Sequence, residues 1–322
     1  MTKKLLIIGG GPIGLACGIA AKNAGLDYEI LEKGTIVNSL FNYPLYMTFF
    51  STSERLEIGN IPFTCTKVKP GRQEAIEYYR KVVENQQLNI RLFCEVKHVE
   101  KQNNGIFKVE TTSGNLFAEN VIVATGYYDR PNLMHVPGED LSKVRHYYKE
   151  PHEYAFQKVL VVGSQNSAVD AALQTFRKGA EVTLLTHSSV IGERVKYWIR
   201  PDMINRIAEG SIRTFFNSEV VEIQEKKVVV KDQSGTLHTL ENDFVLAMTG
   251  YRPNNEFLRQ IGVTFSTDGL DQPTYDETTM ETNVSNLFLA GVVCGGNDTH
   301  SLMIENSRIH AELITKAILK QN

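Results

Sequence analysis

The chain has 322 residues, 42% of them hydrophobic, enough for about two ordinary domains. Apolar runs fall short of the roughly 18 residues of a membrane span, and a formal net charge of −3 leaves no basic footprint for nucleic acid or an anionic membrane. Four cysteines, Cys17, Cys65, Cys94 and Cys294, are too few and too scattered for a secreted disulfide framework, so a reducing cytoplasm is the expected setting; no metal site is expected.

The first element lies in KLLIIGGGPIGLACGIA, residues 4 to 20. Its apolar run stops at Gly9, short of the roughly 7 to 15 apolar residues of an export signal. A buried strand that meets Gly9, Gly11 and Gly14 and then a helical apolar pattern predicts a dinucleotide-binding turn. Gly9 would permit the tight turn, Gly11 the approach of backbone to a pyrophosphate, and Gly14 the close packing of helix on strand. The helix start would offer N–H groups and positive dipole to the phosphates. Gly25 closes the helix, DYEILE reads as the second strand, and Glu32 follows Gly14 by 18 residues, placed to accept ribose hydroxyls.

Alternating patterns near 91 to 99 and 106 to 110 predict a small antiparallel insert. NVIVATGYYDRP, residues 120 to 131, is a buried strand ending in Thr-Gly-Tyr, and the polar stretch from 127 to 157 reads as a connector. Residues 158 to 187, KVLVVGSQNSAVDAALQTFRKGAEVTLLTH, then repeat the opening unit: one offset of 154 carries Gly9 to Gly163, Gly14 to Ala168, Gly25 to Gly179 and Glu32 to Thr186. Gln165 takes the place of the middle glycine. A neutral Thr186 in the acid's slot, followed by His187, Arg194, Lys196 and Arg200, tolerates a 2′-phosphate that a carboxylate would repel, which points to NADPH in the second unit.

A second antiparallel insert is expected at 219 to 223 and 227 to 231, and DFVLAMTGYRPN, residues 243 to 254, matches the earlier Thr-Gly-Tyr strand. NLFLAGVVCGGNDTHSLMIENSRIHAELITKAIL, residues 286 to 319, predicts a strand, a glycine loop and a helix. Asp298 or Thr299 is the expected N-cap, and Leu302, Ile309, Leu313 and Ala317 the expected apolar face.

Two such units, paired Thr-Gly strands and a final strand-loop-helix resemble the two-dinucleotide-binding-domain flavoproteins of the thioredoxin reductase superfamily over nearly the whole chain. The segments NYPLYMTFFSTSERLEIGNIPF, ATGYYDRPN, VGSQNSAVDAAL and AGVVCGGND are more closely similar to the bacillithiol disulfide reductase group. The resemblance implies an α/β protein with two Rossmann-like three-layer domains and small antiparallel β inserts. Residues 1–126 and 246–322 would form a discontinuous FAD domain, and 127–245, with the 127–157 connector, an NADPH domain. Carried onto this sequence, FAD contacts fall on Gly9, Gly11, Gly14, Glu32, Lys33, Thr48, Gly126 and Gly291. NADPH contacts fall on Gly163, Asn166, Ser167 and Ala168, with Thr186, His187 and Arg194 from the acid-slot reading. A helix start beside the flavin would favour the negative charge it develops on reduction.

The implied activity passes electrons from NADPH through FAD to a low-molecular-weight thiol disulfide. Spacings of 48, 29 and 200 residues between successive cysteines exclude a Cys-x-x-Cys relay. Ile13 stands where the group's Gly-Gly-Gly-Pro-Cys-Gly pattern has its cysteine. Cys17, one helical turn on, reads as a small core residue. Cys294, in the glycine loop, is the better thiol candidate, and His300 is a candidate proton donor. Other readings stay open: a ferredoxin or flavodoxin reductase, although ILKQN ends without an aromatic to stack on a flavin; a flavin monooxygenase, suggested by VRHYYKEPHEY but lacking F-x-G-x-x-x-H-x-x-x-[FY]; and a module that senses the NADPH/NADP⁺ ratio. Expected partners are thus a small disulfide or a small electron-carrier protein, with a homo-oligomer left open.

Overall fold

The computed structural model describes residues 2–320. The chain divides into two compact units, one made of Met1–Asn42, Met47–Arg130 and Tyr251–Asn322, the other of Tyr43–Tyr46 and Pro131–Gly250. Besides the short excursion of Tyr43–Tyr46, the crossings fall at 130/131 and 250/251, a few residues past the strands Gly114–Val123 and Phe244–Ala247.

The first unit is built on a seven-stranded sheet. Strand Thr2–Ile8 lies at its centre, parallel to Tyr28–Leu31 on one side and to Gly114–Val123 on the other, with Ile7 opposite Ile30 and Ile122. Burial on both faces explains why Leu5 to Ile8 run apolar without alternation. The long Gly114–Val123 strand pairs antiparallel with Phe107–Thr111 at its start and parallel with the late strand Leu287–Leu289 at its end. That pairing is what returns the C-terminal segment to this sheet.

The pattern expected over 91 to 99 resolves into two pieces. Ile90–Arg91 is a parallel edge strand beside Tyr28–Leu31, Phe93 turns the chain with φ at 54°, and Val96–Lys101 begins the antiparallel insert. The final helix also differs from expectation. A short turn, Ile304–Ser307, precedes a longer helix, His310–Lys320, and the buried positions are Ser307, His310, Ala311, Ile314, Thr315, Ala317 and Ile318. Ile309 is half exposed instead of buried. Asp298 caps no helix, since its carboxylate accepts from the His300 and Ser301 N–H groups in the loop.

The second unit carries a five-stranded parallel sheet, ordered Arg213–Phe215, Glu181–Leu185, Lys158–Val162, Phe244–Ala247, Val144–Arg145. Strand Lys158–Val162 feeds two cores by alternation. Val159 and Val161 face the helix Asn166–Phe176, while Leu160 and Val162 face the antiparallel meander Glu219–Ile223, Lys227–Lys231, Leu237–Glu241. Helix, sheet and meander make the three layers. The expected connector is part of this unit: Tyr148 and Tyr154 are buried in its core, and Tyr148 donates to Gln174 Oε1 at 2.8 Å. No helix among the described residues is long and apolar enough to cross a membrane.

Candidate functional site

The opening turn assigns a separate physical task to each glycine. Gly9 holds φ at +112°, and a Cβ there would lie 2.5 Å from the Ala124 carbonyl oxygen. A Cβ on Gly14 would lie 1.9 Å from the Gly9 oxygen, so the helix Pro12–Asn23 rests directly on the turn. Gly11 is different. It is the helix N-cap with φ at −73°, and a Cβ built on it meets nothing within 4 Å. The backbone thus leaves an open cradle at the start of a 12-residue helix, at the C-terminal ends of parallel strands, where anionic ligands of such sheets lie.

Glu32 is buried beside this cradle, accepting from the Gly10 N–H at 2.7 Å and the Gly34 N–H at 2.9 Å. Burial raises its carboxyl pKa, and those two N–H bonds pull against the rise. A carboxylate has acceptor capacity beyond two bonds, which leaves room for ribose hydroxyls. Thr35 Oγ1 is buried on the following loop without a hydrogen-bond partner, a polar atom that a bound nucleotide would satisfy. These features fit a dinucleotide. Gly126, with φ at +74°, also faces open space just past the end of the Gly114–Val123 strand. Lys33 is committed to Asp129 at 2.7 Å, and Thr48 lies on a separate segment bridged to Gly71.

The second turn reproduces the first. Gly163 holds φ at +131°, with a Cβ placed 2.6 Å from the Met248 oxygen, and its N–H bonds Leu185 O at 2.8 Å just as that of Gly9 bonds Leu31 O at 2.8 Å. Ala168 sits buried under this turn, Ser167 is exposed on the first helical turn, and Gln165 is the N-cap. The Gln165 side chain lies against Gly192, where a Cβ would come within 2.5 Å of its Oε1.

The basic cluster expected after Thr186 separates into two kinds. Lys196 is buried and paired with Asp170 at 2.7 Å, and Arg200 donates to the Gly192 and Ile191 carbonyls. Asn166 ties the same loop down, accepting from the Lys196 N–H at 2.8 Å and donating to Arg194 O at 3.3 Å. Lys196 and Arg200 thus shape the loop, while the side chains of His187 and Arg194 stay exposed. Thr186 is buried, its hydroxyl accepting from the Ser188 N–H at 3.1 Å.

At the third glycine loop, Gly291 has φ at +84° and packs on Ile13, whose Cβ would be 3.3 Å from a Cβ at 291. Its N–H donates to His310 Nδ1 at 3.1 Å and its carbonyl accepts from Cys294 N at 3.1 Å. A flavin contact at Gly291 would therefore use its Cα surface, not its N–H.

Of the two catalytic candidates, the thiol is withdrawn from solvent. Cys294 is fully buried, and burial pushes its thiol far upward, with neighbouring Cys17 adding to the rise. Cys17 is likewise buried and pushed up to about 12. Thiolate reactivity needs the opposite environment. His300 is exposed on the loop that follows. Sequence reading passed over His310, and the signal was available: His310, Ala311, Ile314 and Ile318 share the buried helical face.

The model of the pyridine nucleotide-disulphide oxidoreductase family matches residues 6–291. The bacilliredoxin reductase Bdr of Bacillus subtilis (strain 168) is 44% identical over 100% of this chain and 99% of its own. Two solved structures of the bacillithiol disulfide reductase Bdr (YpdA), from Bacillus cereus and Staphylococcus aureus, each cover 100% of both chains with a TM-score of 0.97, at 42% and 40% identity.

Proposed function

Since the chain belongs to the pyridine nucleotide-disulphide oxidoreductase family, we propose that it is an NADPH-dependent FAD enzyme that reduces bacillithiol disulfide. It is an oxidoreductase, and its family implies a flavin and a pyridine nucleotide. The observation that carries the finer reading is the pair of matching glycine turns that differ in the ribose slot. Glu32 at the first suits an unphosphorylated ribose, as in FAD, and Thr186 at the second suits a phosphorylated one, as in NADPH.

When bound, the flavin supplies two-electron transfer between the nicotinamide and the disulfide. The balance is NADPH + H⁺ + RSSR giving NADP⁺ + 2 RSH, which needs no thiol from the protein. Gly11 and the helix start hold the pyrophosphate, Glu32 orients the adenosine ribose, and Asn166 with the Lys196–Asp170 pair sets the loop bearing Arg194 for the 2′-phosphate. Ile13 closes the side of the first helix against Gly291 with an inert side chain. All four cysteines are free, which suits a reducing cytoplasm. The B. subtilis relative's name supports a second acceptor, bacilliredoxin.

Anaerobic mixing with NADPH should bleach the flavin band, and bacillithiol disulfide should restore it. A protein that takes up no flavin, or bleaches equally fast with NADH, contradicts the cofactor assignment.

A further inference from the structure

The Gly291 turn is braced from behind by a group that no cofactor-binding role uses. His310 lies on the inner face of the His310–Lys320 helix, buried, with Nδ1 accepting the Gly291 N–H at 3.1 Å and Cys294 Sγ 4.0 Å from the same nitrogen. A ring nitrogen that accepts carries no proton, so the imidazole is the neutral tautomer with its proton on Nε2. Burial favours that neutral form, holding the imidazole below its ordinary value of 6.5. The thiol of Cys294, beside the same ring nitrogen, is held protonated by burial, as is the neighbouring thiol of Cys17.

Gly291 is tightly placed in consequence. Its positive φ is unfavourable for other residues, its carbonyl closes the turn onto Cys294 N, and its bare Cα lets the Ile13 side chain approach. Ile13 belongs to the first turn of the helix whose start forms the open cradle at Gly11. A shift of Gly291 thus reaches the cradle through a single side chain.

We propose that His310 is a positioning residue for the flavin site: by accepting the Gly291 N–H it fixes the turn that packs on Ile13 and, through Ile13, the start of the first helix. The inference rests on the flavin occupying the Gly11 cradle.

The test has one arm free of cofactor and one with it. In flavin-free protein labelled with ¹⁵N-histidine, the resonance lost in His310→Asn should show a bare Nδ1 and a protonated Nε2 at neutral pH. A protonated Nδ1 overturns the proposal. In the second arm, the asparagine side chain offers an amide oxygen near the place of Nδ1, so His310→Asn should keep flavin affinity and midpoint potential near wild type. His310→Leu should lose affinity about tenfold, the order one buried hydrogen bond commands, and alter the visible circular dichroism of the bound flavin. Leucine matching wild type, or asparagine failing as leucine does, overturns it. Wild-type protein that takes up no flavin removes the flavin reading instead, and the tautomer arm still decides the His310–Gly291 link.

Discussion

Substituting valine at Gly11 separates ligand binding from folding, because the two costs come from different places. In the protein itself a Cβ at Gly11 meets nothing within 4 Å, and φ at −73° is open to any residue. The folding cost is then only that of valine replacing glycine as N-cap, about 1 kcal/mol. For a unit of this size that lowers Tm by about 2–4 °C. The bound pyrophosphate would meet the added methyls in the cradle, an overpacking of about 1–3 kcal/mol even after relaxation, hence about 10- to 100-fold in Kd. Gly14→Val reverses the pattern, since its Cβ would fall 1.9 Å from the Gly9 oxygen whether or not a ligand is present. The assay is a flavin titration of flavin-free protein together with the melting of that protein. Gly11→Val should fold and bind flavin about 10- to 100-fold more weakly in the titration, and Gly14→Val should be unstable throughout. A Gly11→Val protein that binds flavin as tightly as wild type would refute the cradle.

Other outcomes follow from the same geometry. Thr186→Glu should narrow the NADPH over NADH preference by charge repulsion at the 2′-phosphate, read from flavin bleaching rates; an unchanged ratio contradicts the slot. Lys196→Met leaves Asp170 without its cation and should cost about 3 kcal/mol while raising the KM for NADPH more than it lowers kcat, checked by urea melts and steady-state kinetics. His310 and His146 are both held below 6.5 by burial, so the unfolded chain takes up protons first as pH falls. Their contribution to stability is full above about pH 6.5 and declines below it; His310→Asn should flatten that acid limb in denaturation at pH 7.5 and 5.5, and an unchanged slope contradicts it. Cys294→Ser should cost about 1–3 kcal/mol through a buried hydroxyl yet keep disulfide turnover.

Residues whose role is set by local backbone were legible in the sequence. Gly9, Gly163 and Glu32 announce themselves because a tight turn and a strand end constrain residue type directly, and the 154-residue offset made the second turn visible even with Gln165 in it. What escaped depended on tertiary partners. Lys196 looks like Arg194 in a charge count, and only Asp170, 26 positions away, distinguishes a buried brace from an exposed cation. The polar stretch from 127 to 157 reads as connector because its tyrosines become core only against the Asn166–Phe176 helix and its sheet. A continuous helical period through the C-terminus puts Ile309 on the inner face; with the helix restarting at His310, that face moves by one residue and brings a histidine to Gly291.

The most direct test of thiol-independent reduction uses the quadruple variant Cys17→Ser, Cys65→Ser, Cys94→Ser and Cys294→Ser, checked for fold and flavin content. Under anaerobic conditions NADPH should bleach its flavin at nearly the wild-type rate, and bacillithiol disulfide should then restore the colour with two thiols released per NADPH consumed. Bleaching that persists while the disulfide no longer restores the colour would place the chemistry on one of the four cysteines and contradict the mechanism.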